Sequence, residues 1–300
     1  RSDVPKVLQN SLYDNFVLSY GYGIPITPVV EDTMLKGWEI YCELPKGLAT
    51  QASIYTRQPH WKDDDMYQSD GDGLAHGCGL DSSVTLEICE NQDSILKGPA
   101  RAHYRTNMDL LNPLLFMELR GIAYDQTNVT KQLNEIKTEI NALGDELNRH
   151  AGSELRGEKG SLGAQRLAKC LYTVKGYPPQ YKKEGGRKTD KLTTDTEALL
   201  TLRKRLPTDV FLQGILHHRH LEGLIETLNI QPDGDGRVRC GYNAVGTETG
   251  RLTCYTSPTG AGANLTTITK KLRHNYVADP HYDFFQCDLA GADGWTVAAH

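Results

Sequence analysis

The last part of the sequence places a carboxylate where it could hold a divalent cation. Asp288 directly follows residues 284–287 (FFQC), an apolar run that predicts a buried strand. The glycine-rich chain at 291–294 then turns into a predicted helix over 295–300. Phosphoryl transfer by two metal ions needs at least two carboxylates, and only one is evident here. The residue types alone are therefore equally consistent with Asp288 as a metal ligand and with Asp288 as a helix cap.

Two basic segments upstream have the composition of phosphate-binding chain. Arg251 lies on a predicted tight turn among hydroxyl residues, in the segment TETGRLT at 247–253. An Arg side chain can donate two parallel hydrogen bonds to phosphate oxygens, and hydroxyls can donate beside it. Residues 270–274 hold three cations and no acid: Lys270, Lys271 and Arg273. Basic loops are more often only solvated, but their place beside Asp288 in the chain favours phosphate contact.

Length and composition are those of a folded globular protein. The chain has 300 residues, of which 38% are hydrophobic and 24% charged. Its net charge of −5 excludes nucleic-acid binding through bulk charge, but not through local basic patches. No stretch approaches the roughly 20 apolar residues of a membrane span, and no signal peptide is evident, so we expect a cytoplasmic protein without a membrane partner. The seven cysteines include no Cys-x-x-Cys pair, which predicts reduced, mostly buried thiols.

The elements that must position these residues divide the chain into three segments. Segment 1–97 mixes short apolar runs with glycine and proline, and it contains a predicted helix over 82–90. Segment 98–150 is predicted to be helical, with one apolar stripe at steps of 3 and 4: Leu133, Ile136, Ile140, Leu143 and Leu147. In segment 151–300, helices are predicted around 167–174, from 194 and through 215–228, and a strand over 237–242. The predicted fold class is therefore mixed α/β.

These motifs resemble, in the same order, those of the family A DNA polymerases, the bacterial repair and phage replicative type. The matching segments are TETGRLT at 247–253, NLTTI at 264–268 with KKLR at 270–273, and CDLAGADGWTVAAH at 287–300. The sequences of these segments are most similar to those of phage members of the family. The resemblance implies a template-directed DNA polymerase whose partners are primer-template DNA and dNTPs. It also implies that Asp288 and the backbone carbonyl of Leu289 bind Mg²⁺.

The same resemblance implies roles for further residues. The nucleic-acid backbone would be held by Arg251, Lys270, Lys271 and Arg273. Asp293, five residues after Asp288, would lie against the dNTP sugar. It replaces the Glu with which family members exclude ribonucleotides, and Thr266 replaces a Gln of the family. Arg219, within LHHRHL at 216–221, would face DNA, and its neighbouring histidines are expected to be solvated.

The first hundred residues resemble part of the 3′–5′ proofreading exonuclease of that family, which has a ribonuclease-H-like fold. Asp14 ends the segment NSLYD, which resembles the second carboxylate motif, and Asp81 precedes SSVTLE, which resembles the third. The resemblance implies that both aspartates serve the exonuclease metals. The family's Tyr, four residues before the last Asp, is Gly77 here. His76 has the spacing of the general base in a related exonuclease class, although chance placement explains it more simply.

The resemblance implies a partial exonuclease domain at 1–97, a helical linker and thumb entry at 98–150, and a thumb with the N-terminal part of the palm at 151–300. Both ends are then expected to lie inside functional units, with a second palm carboxylate beyond His300. These 300 residues alone are not expected to polymerise. Two alternatives stay open: a metal-dependent 3′–5′ nuclease with a DNA-binding appendage, and a non-catalytic DNA-binding relic of the polymerase fold.

Overall fold

The computed structural model describes residues 3–62, 71–157, 160–185 and 187–299. The chain divides into two compact units, of which unit 1 comprises Arg1–Tyr124 with Gln231–His300 and unit 2 comprises Asp125–Ile230. Helices and small sheets alternate, so the predicted mixed α/β class is confirmed. The assignment of segments to exonuclease, thumb and palm stays a prediction.

The helices and strands have the following bounds. The helices are α1 (Ser11–Tyr22), α2 (Thr33–Ile40), α3 (Leu48–Tyr55), α4 (Gly71–Ile95), α5 (Gly98–Arg120), α6 (Gln126–Ala151), α7 (Ala164–Ala168), α8 (Thr196–Arg205), α9 (Val210–Leu228) and α10 (Ala292–Ala299). The strands are β1 (Lys6–Leu8), β2 (Val29–Asp32), β3 (Ile122–Tyr124), β4 (Tyr181–Glu184), β5 (Arg187–Leu192), β6 (Arg237–Val238), β7 (Cys240–Asn243), β8 (Thr253–Thr256) and β9 (Tyr276–Val277). A π-helical turn, Lys169–Val174, follows α7, and 3₁₀ segments cover Leu265–Thr267 and Lys270–Asn275.

Unit 1 begins with a parallel β1–α1–β2 arrangement, which positions the helices of the N-terminal segment. Asp32, at the end of β2, is buried and accepts hydrogen bonds from the backbone N–H of Ser11 at 2.7 Å and of Met34 at 2.8 Å. One carboxylate therefore caps α2 and binds the start of α1. The same unit contains the antiparallel sheet β6–β3–β9 and the β7–β8 hairpin. A shared core that includes Leu35, Tyr104 and Tyr242 packs α2 and α5 against this hairpin.

Unit 2 is built on the contact between α6 and α9. The predicted stripe of α6 is buried or half-buried along its length, and Leu147 is fully inside the core. Gly214 of α9 allows the close approach, because a Cβ there would lie 3.0 Å from Cδ2 of Leu147. β4 and β5 form a separate antiparallel hairpin over 181–192. No helix in the described part of the chain is long and apolar enough to cross a membrane.

The structure confirms the helices predicted at 82–90, 167–174 and 215–228 and the helix start after 194. All seven cysteines are unpaired, and four are buried, as predicted: Cys89, Cys170, Cys240 and Cys254. The strand predicted over 237–242 is divided into β6 and β7 at the buried Arg239, which pairs with Asp233 and Asp235.

The prediction of a strand over 284–287 is wrong. These residues form irregular, exposed chain, and Phe285 is 91% exposed. An apolar run becomes a strand only where a neighbouring strand pairs with its backbone groups. None of the described strands pairs with this segment.

Candidate active site

The turn between β7 and β8 presents Arg251 to solvent. The hydroxyl of Thr247 accepts the backbone N–H of Arg251 at 2.8 Å, and the Thr247 carbonyl accepts the N–H of Gly250 at 3.2 Å. Gly250 has φ 74°, a left-handed conformation that favours glycine. Arg251 is exposed, and its guanidinium has no ion-pair partner among the described residues. The turn therefore holds the backbone of Arg251 and leaves its charge available for an anion.

The second 3₁₀ segment, Lys270–Asn275, carries the remaining predicted cations of unit 1. Leu272 and Asn275 are buried and anchor the segment Lys270–Asn275. The outward positions are exposed: Lys270, Lys271 and Arg273. The Arg273 Nε donates a long 3.4 Å hydrogen bond to the carbonyl of Ile268, while the two lysines have no ion-pair partner within the described chain.

Thr266, which stands where the resemblance predicts a Gln, is hydrogen-bonded to Asn264. The side-chain oxygen of Asn264 accepts the backbone N–H of Thr266 at 3.0 Å and the Thr266 hydroxyl at 2.6 Å. The hydroxyl that replaces the family's Gln is thus turned back onto its own loop. A hydrogen bond from this position to a bound partner would have to compete with that local contact.

The predicted metal ligands Asp288 and Leu289 lie on exposed, irregular chain, and Asp293 lies in the first turn of α10. Carboxylate and carbonyl oxygens are the donors that Mg²⁺ prefers. Among the described residues, however, no group of three or more His, Cys, Asp or Glu side chains is placed to hold a metal ion. The donor types fit Mg²⁺, but the described side chains do not make up a complete site.

An ion cluster that the sequence did not reveal fixes the chain leading to Asp288. Asp279, just after β9, accepts from Arg237 at 2.6 Å and from Arg120, at the end of α5, at 2.9 Å. These two guanidinium groups hold the pKa of Asp279 at about 2. Neighbouring side chains, with Tyr282 and Phe284 among them, line a cavity of about 310 Å³. Such a cluster is hard to predict because its members come from three separate segments.

Asp14 and Asp81, predicted to serve an exonuclease, line one cleft of about 710 Å³ between α1 and α4. Asp14 is half-buried, and burial, together with the nearby charge of Asp32, raises the pKa of Asp14. Asp81 is engaged differently, because its carboxylate accepts from the indole N–H of Trp61 at 2.8 Å and from the ammonium of Lys62 at 3.1 Å. Sequence reasoning missed these two donors, which precede Asp81 by about twenty positions.

The other predicted exonuclease positions do not join this cleft. Gly77 is buried within α4, and His76 is exposed on the same helix. Neither lies among the described residues that line the cleft. Within the described chain, His76 therefore lies outside the cleft in which a general base would have to act.

In unit 2, Arg219 lies half-buried on α9 and lines a cleft of about 750 Å³. Three lysines line the same cleft: Lys169, Lys182 and Lys191. Arg219 donates a long 3.4 Å hydrogen bond to the Thr194 hydroxyl, and burial lowers the pKa of its guanidinium. The cleft thus collects positive charge from α9, from the π-helical turn and from the β4–β5 hairpin.

The expectation that the histidines beside Arg219 are solvated is wrong for one of them. His217 pairs with Glu139 at 2.8 Å and is exposed, as is His220. His218 is fully buried, with Nδ1 3.6 Å from Glu222, and burial lowers its pKa to about 4. It lies seven residues after Phe211, and on a helix this spacing puts both on the core-facing side.

No protein-family model matches the chain. The sequence is 25% identical to the DNA polymerase I of Chloroflexus aurantiacus (strain ATCC 29366 / DSM 635 / J-10-fl) over 316 aligned positions. The alignment covers 99% of this chain but 32% of the relative, so the chain spans about a third of that protein.

Among solved structures, the fold matches the POL domain of Pol1 from M. smegmatis, determined in complex with DNA primer-template and dNTP. The TM-score is 0.72 at 22% identity, and the match covers 93% of this chain and 46% of the solved chain. At this identity the likeness establishes the fold. Together, the two comparisons confirm the resemblance that the sequence motifs indicate: the chain is similar in sequence to a DNA polymerase I and has the fold of a Pol1 polymerase domain.

Proposed function

We propose that this chain serves template-directed DNA synthesis, as part of a DNA-directed DNA polymerase. The reaction is attack of the primer 3′-hydroxyl on the α-phosphate of a dNTP, with release of pyrophosphate. The observation that carries the proposal is a set of exposed cations on a polymerase-domain fold, at the positions where the sequence motifs place phosphate contacts: Arg251, Lys270 and Lys271.

These cations suit a nucleic-acid backbone because their charges are not neutralised within the described chain. Primer-template DNA and dNTPs, the partners proposed here, both present phosphate oxygens. An Arg side chain on a rigid turn and two lysines on a short 3₁₀ segment give charge-based contacts without base-specific hydrogen bonds. Binding would then be independent of sequence and strongly dependent on salt. Arg219 adds a further DNA-facing cation in unit 2.

The role of Mg²⁺ belongs to the proposal as well. Asp288 and the carbonyl of Leu289 would supply two of its oxygen ligands, and the bound ion would neutralise charge on the triphosphate. Asp293 would lie against the sugar of the incoming dNTP. A bacterial or phage polymerase of this kind acts in the bacterial cytoplasm, which is where we place this protein.

A second activity, 3′–5′ exonuclease, has one specific observation in its favour. Asp14 and Asp81 were predicted from separate motifs, and both line the same cleft. The ammonium of Lys62 beside Asp81 counts against it, because a metal ion would have to displace that cation. Because the two aspartates share one cleft, we still propose the exonuclease, as an accessory function beside DNA synthesis.

The test of the polymerase is Asp288→Ala in the complete protein, with primer extension on a synthetic primer-template. We expect a loss of about a thousandfold in extension rate, because the metal contribution amounts to several kcal/mol. Asp283→Ala, on the same exposed segment but outside the motif, is the matched control and should extend normally. Extension by Asp288→Ala at the wild-type rate contradicts the assignment. A wild-type protein that binds primer-template but does not extend it would favour the non-catalytic relic.

A further inference from the structure

We infer that Trp38, in the exonuclease-like segment, is a positioning residue for Arg251, and this inference rests on the proposed role of Arg251 in DNA binding. The indole N–H of Trp38 donates a 2.9 Å hydrogen bond to the carbonyl of Thr247. The indole is 8% exposed, so the bond is shielded from competing water. Helix α2 thereby holds the peptide from which the Arg251 turn begins.

Thr247 connects the indole to the arginine. Its carbonyl accepts from Trp38 and from the N–H of Gly250, while its hydroxyl accepts the N–H of Arg251 at 2.8 Å. The same hydroxyl lies 3.2 Å from that of Thr249. A displacement of the Thr247 peptide would therefore move the backbone of Arg251 with it.

The ring of Trp38 also fixes the shape of the turn. A Cβ at Gly250 would lie 3.2 Å from Cη2 of the indole, so the glycine backbone packs against the ring. The ring thus limits how far this end of the turn can relax toward the core. Hydrogen bond and ring contact act on the two ends of the same four-residue turn.

Helix α2 is itself held firmly enough to serve as a support. Glu39 accepts from Asn107 of α5 at 2.8 Å and lies 2.7 Å from Nδ1 of His103. The fully buried ammonium of Lys36 pairs with Glu31 at 2.9 Å and with Asp93 of α4 at 2.8 Å. Helix α2 is thereby fixed to β2, α4 and α5.

The simpler explanation is that Trp38 has only a packing role in the core that it shares with Leu35. The two explanations differ in what removal of the indole N–H should change. A core residue affects global stability, whereas a positioning residue changes how Arg251 meets a phosphate. The salt dependence of DNA binding reports that interaction, because each phosphate that the protein neutralises adds about 0.9 to the slope of log Kd against log salt.

The experiment measures Kd of the complete protein for a synthetic primer-template over a series of salt concentrations. Arg251→Ala should weaken binding about tenfold and reduce the slope of log Kd against log salt by about 0.9. Trp38→Phe should change both quantities in the same direction, and the double variant should bind no more weakly than Arg251→Ala. Leu35→Ala, which removes a core side chain of the same helix, should lower the melting temperature with an unchanged slope.

Thr247→Val and Thr247→Ser test the same connection at the surface, where folding is less affected. The valine variant lacks the acceptor for the Arg251 N–H and should reduce the slope of log Kd against log salt. The serine variant keeps the hydroxyl and should keep the wild-type slope. If Arg251→Ala leaves the slope unchanged, the proposed role of Arg251 is wrong. If Arg251→Ala reduces the slope but Trp38→Phe does not, or if the effects of Trp38→Phe and Arg251→Ala add in full, the positioning role of Trp38 is overturned. An unchanged slope in Thr247→Val overturns it as well.

Discussion

The indole of Trp61 donates a 2.8 Å hydrogen bond to Asp81 in the cleft that Asp81 shares with Asp14. Lys62 binds the other oxygen of the same carboxylate at 3.1 Å. Both oxygens of Asp81 thus contact nitrogen donors, while Asp14 has no ion-pair partner among the described residues. The two aspartates of the proposed exonuclease are therefore not equivalent, and Asp14 is the better target for a test.

Asp14→Ala is expected to reduce degradation of a primer 3′ end by about a hundredfold or more, because it removes a proposed metal ligand. Primer extension by the same protein should be unchanged. Both activities are measured on one labelled primer-template, with and without dNTPs. Glu87→Ala, an exposed acid on α4 away from the cleft, is the control and should affect neither. Equal loss of both activities in Asp14→Ala would mean that the two functions have been assigned to the wrong segments.

Asp293→Glu is expected to increase selection against ribonucleotides. The longer carboxylate would reach farther toward the 2′ position of the sugar, where the family's Glu excludes the hydroxyl. We expect the preference for dNTP over rNTP to rise about tenfold, the effect of one methylene in a binding pocket. The measurement compares kcat/KM for dCTP and CTP in primer extension. Asp283→Glu makes the same change in side-chain length on exposed chain nearby and should leave the ratio unaltered. An unchanged preference, like that of the control, would show that Asp293 does not contact the sugar.

Local motifs were sufficient to propose Arg251 and Asp288 as site residues, because the residues around each lie within a few positions in the chain. The long helices were also predictable, since a stripe such as that ending at Leu147 repeats with the helical period. The strand at 284–287 could not be judged locally, because strand formation depends on a pairing partner. The hydrogen bond from Trp38 to Thr247 joins residues 209 positions apart, and no local pattern in the sequence indicates it.

Glu118 on α5 should make unit 1 less stable as the pH rises. One oxygen of this buried carboxylate accepts the N–H of Tyr242 at 2.6 Å, and the other has no hydrogen-bond partner in the described chain. Burial raises the pKa of Glu118 from 4.5 to about 7. Between these values the folded state binds more protons than the unfolded state, so stability is full below pH 4.5 and falls by about 3 kcal/mol as the pH rises through 7.

Glu118→Gln should remove most of this pH dependence. Hydrogen–deuterium exchange in peptides that cover β7, compared between variant and wild type at each pH, measures the local stability. The wild type should lose protection relative to Glu118→Gln between pH 4.5 and 7. Asp109→Asn, at an exposed site on the same helix, is the control. A constant difference across this range would show that Glu118 titrates normally in the folded protein.

His218 should give unit 2 the opposite pH dependence. Burial lowers its pKa from 6.5 to about 4, so between these values the unfolded state binds more protons than the folded state. Stability is then full above pH 6.5 and falls by about 3 kcal/mol as the pH drops through 4. His218→Leu replaces the buried imidazole by an apolar side chain and should remove most of this loss of stability at low pH. Exchange in peptides from α9 measures it, with the exposed His220→Leu as control. If both variants lose protection at low pH as the wild type does, another group causes the loss of stability.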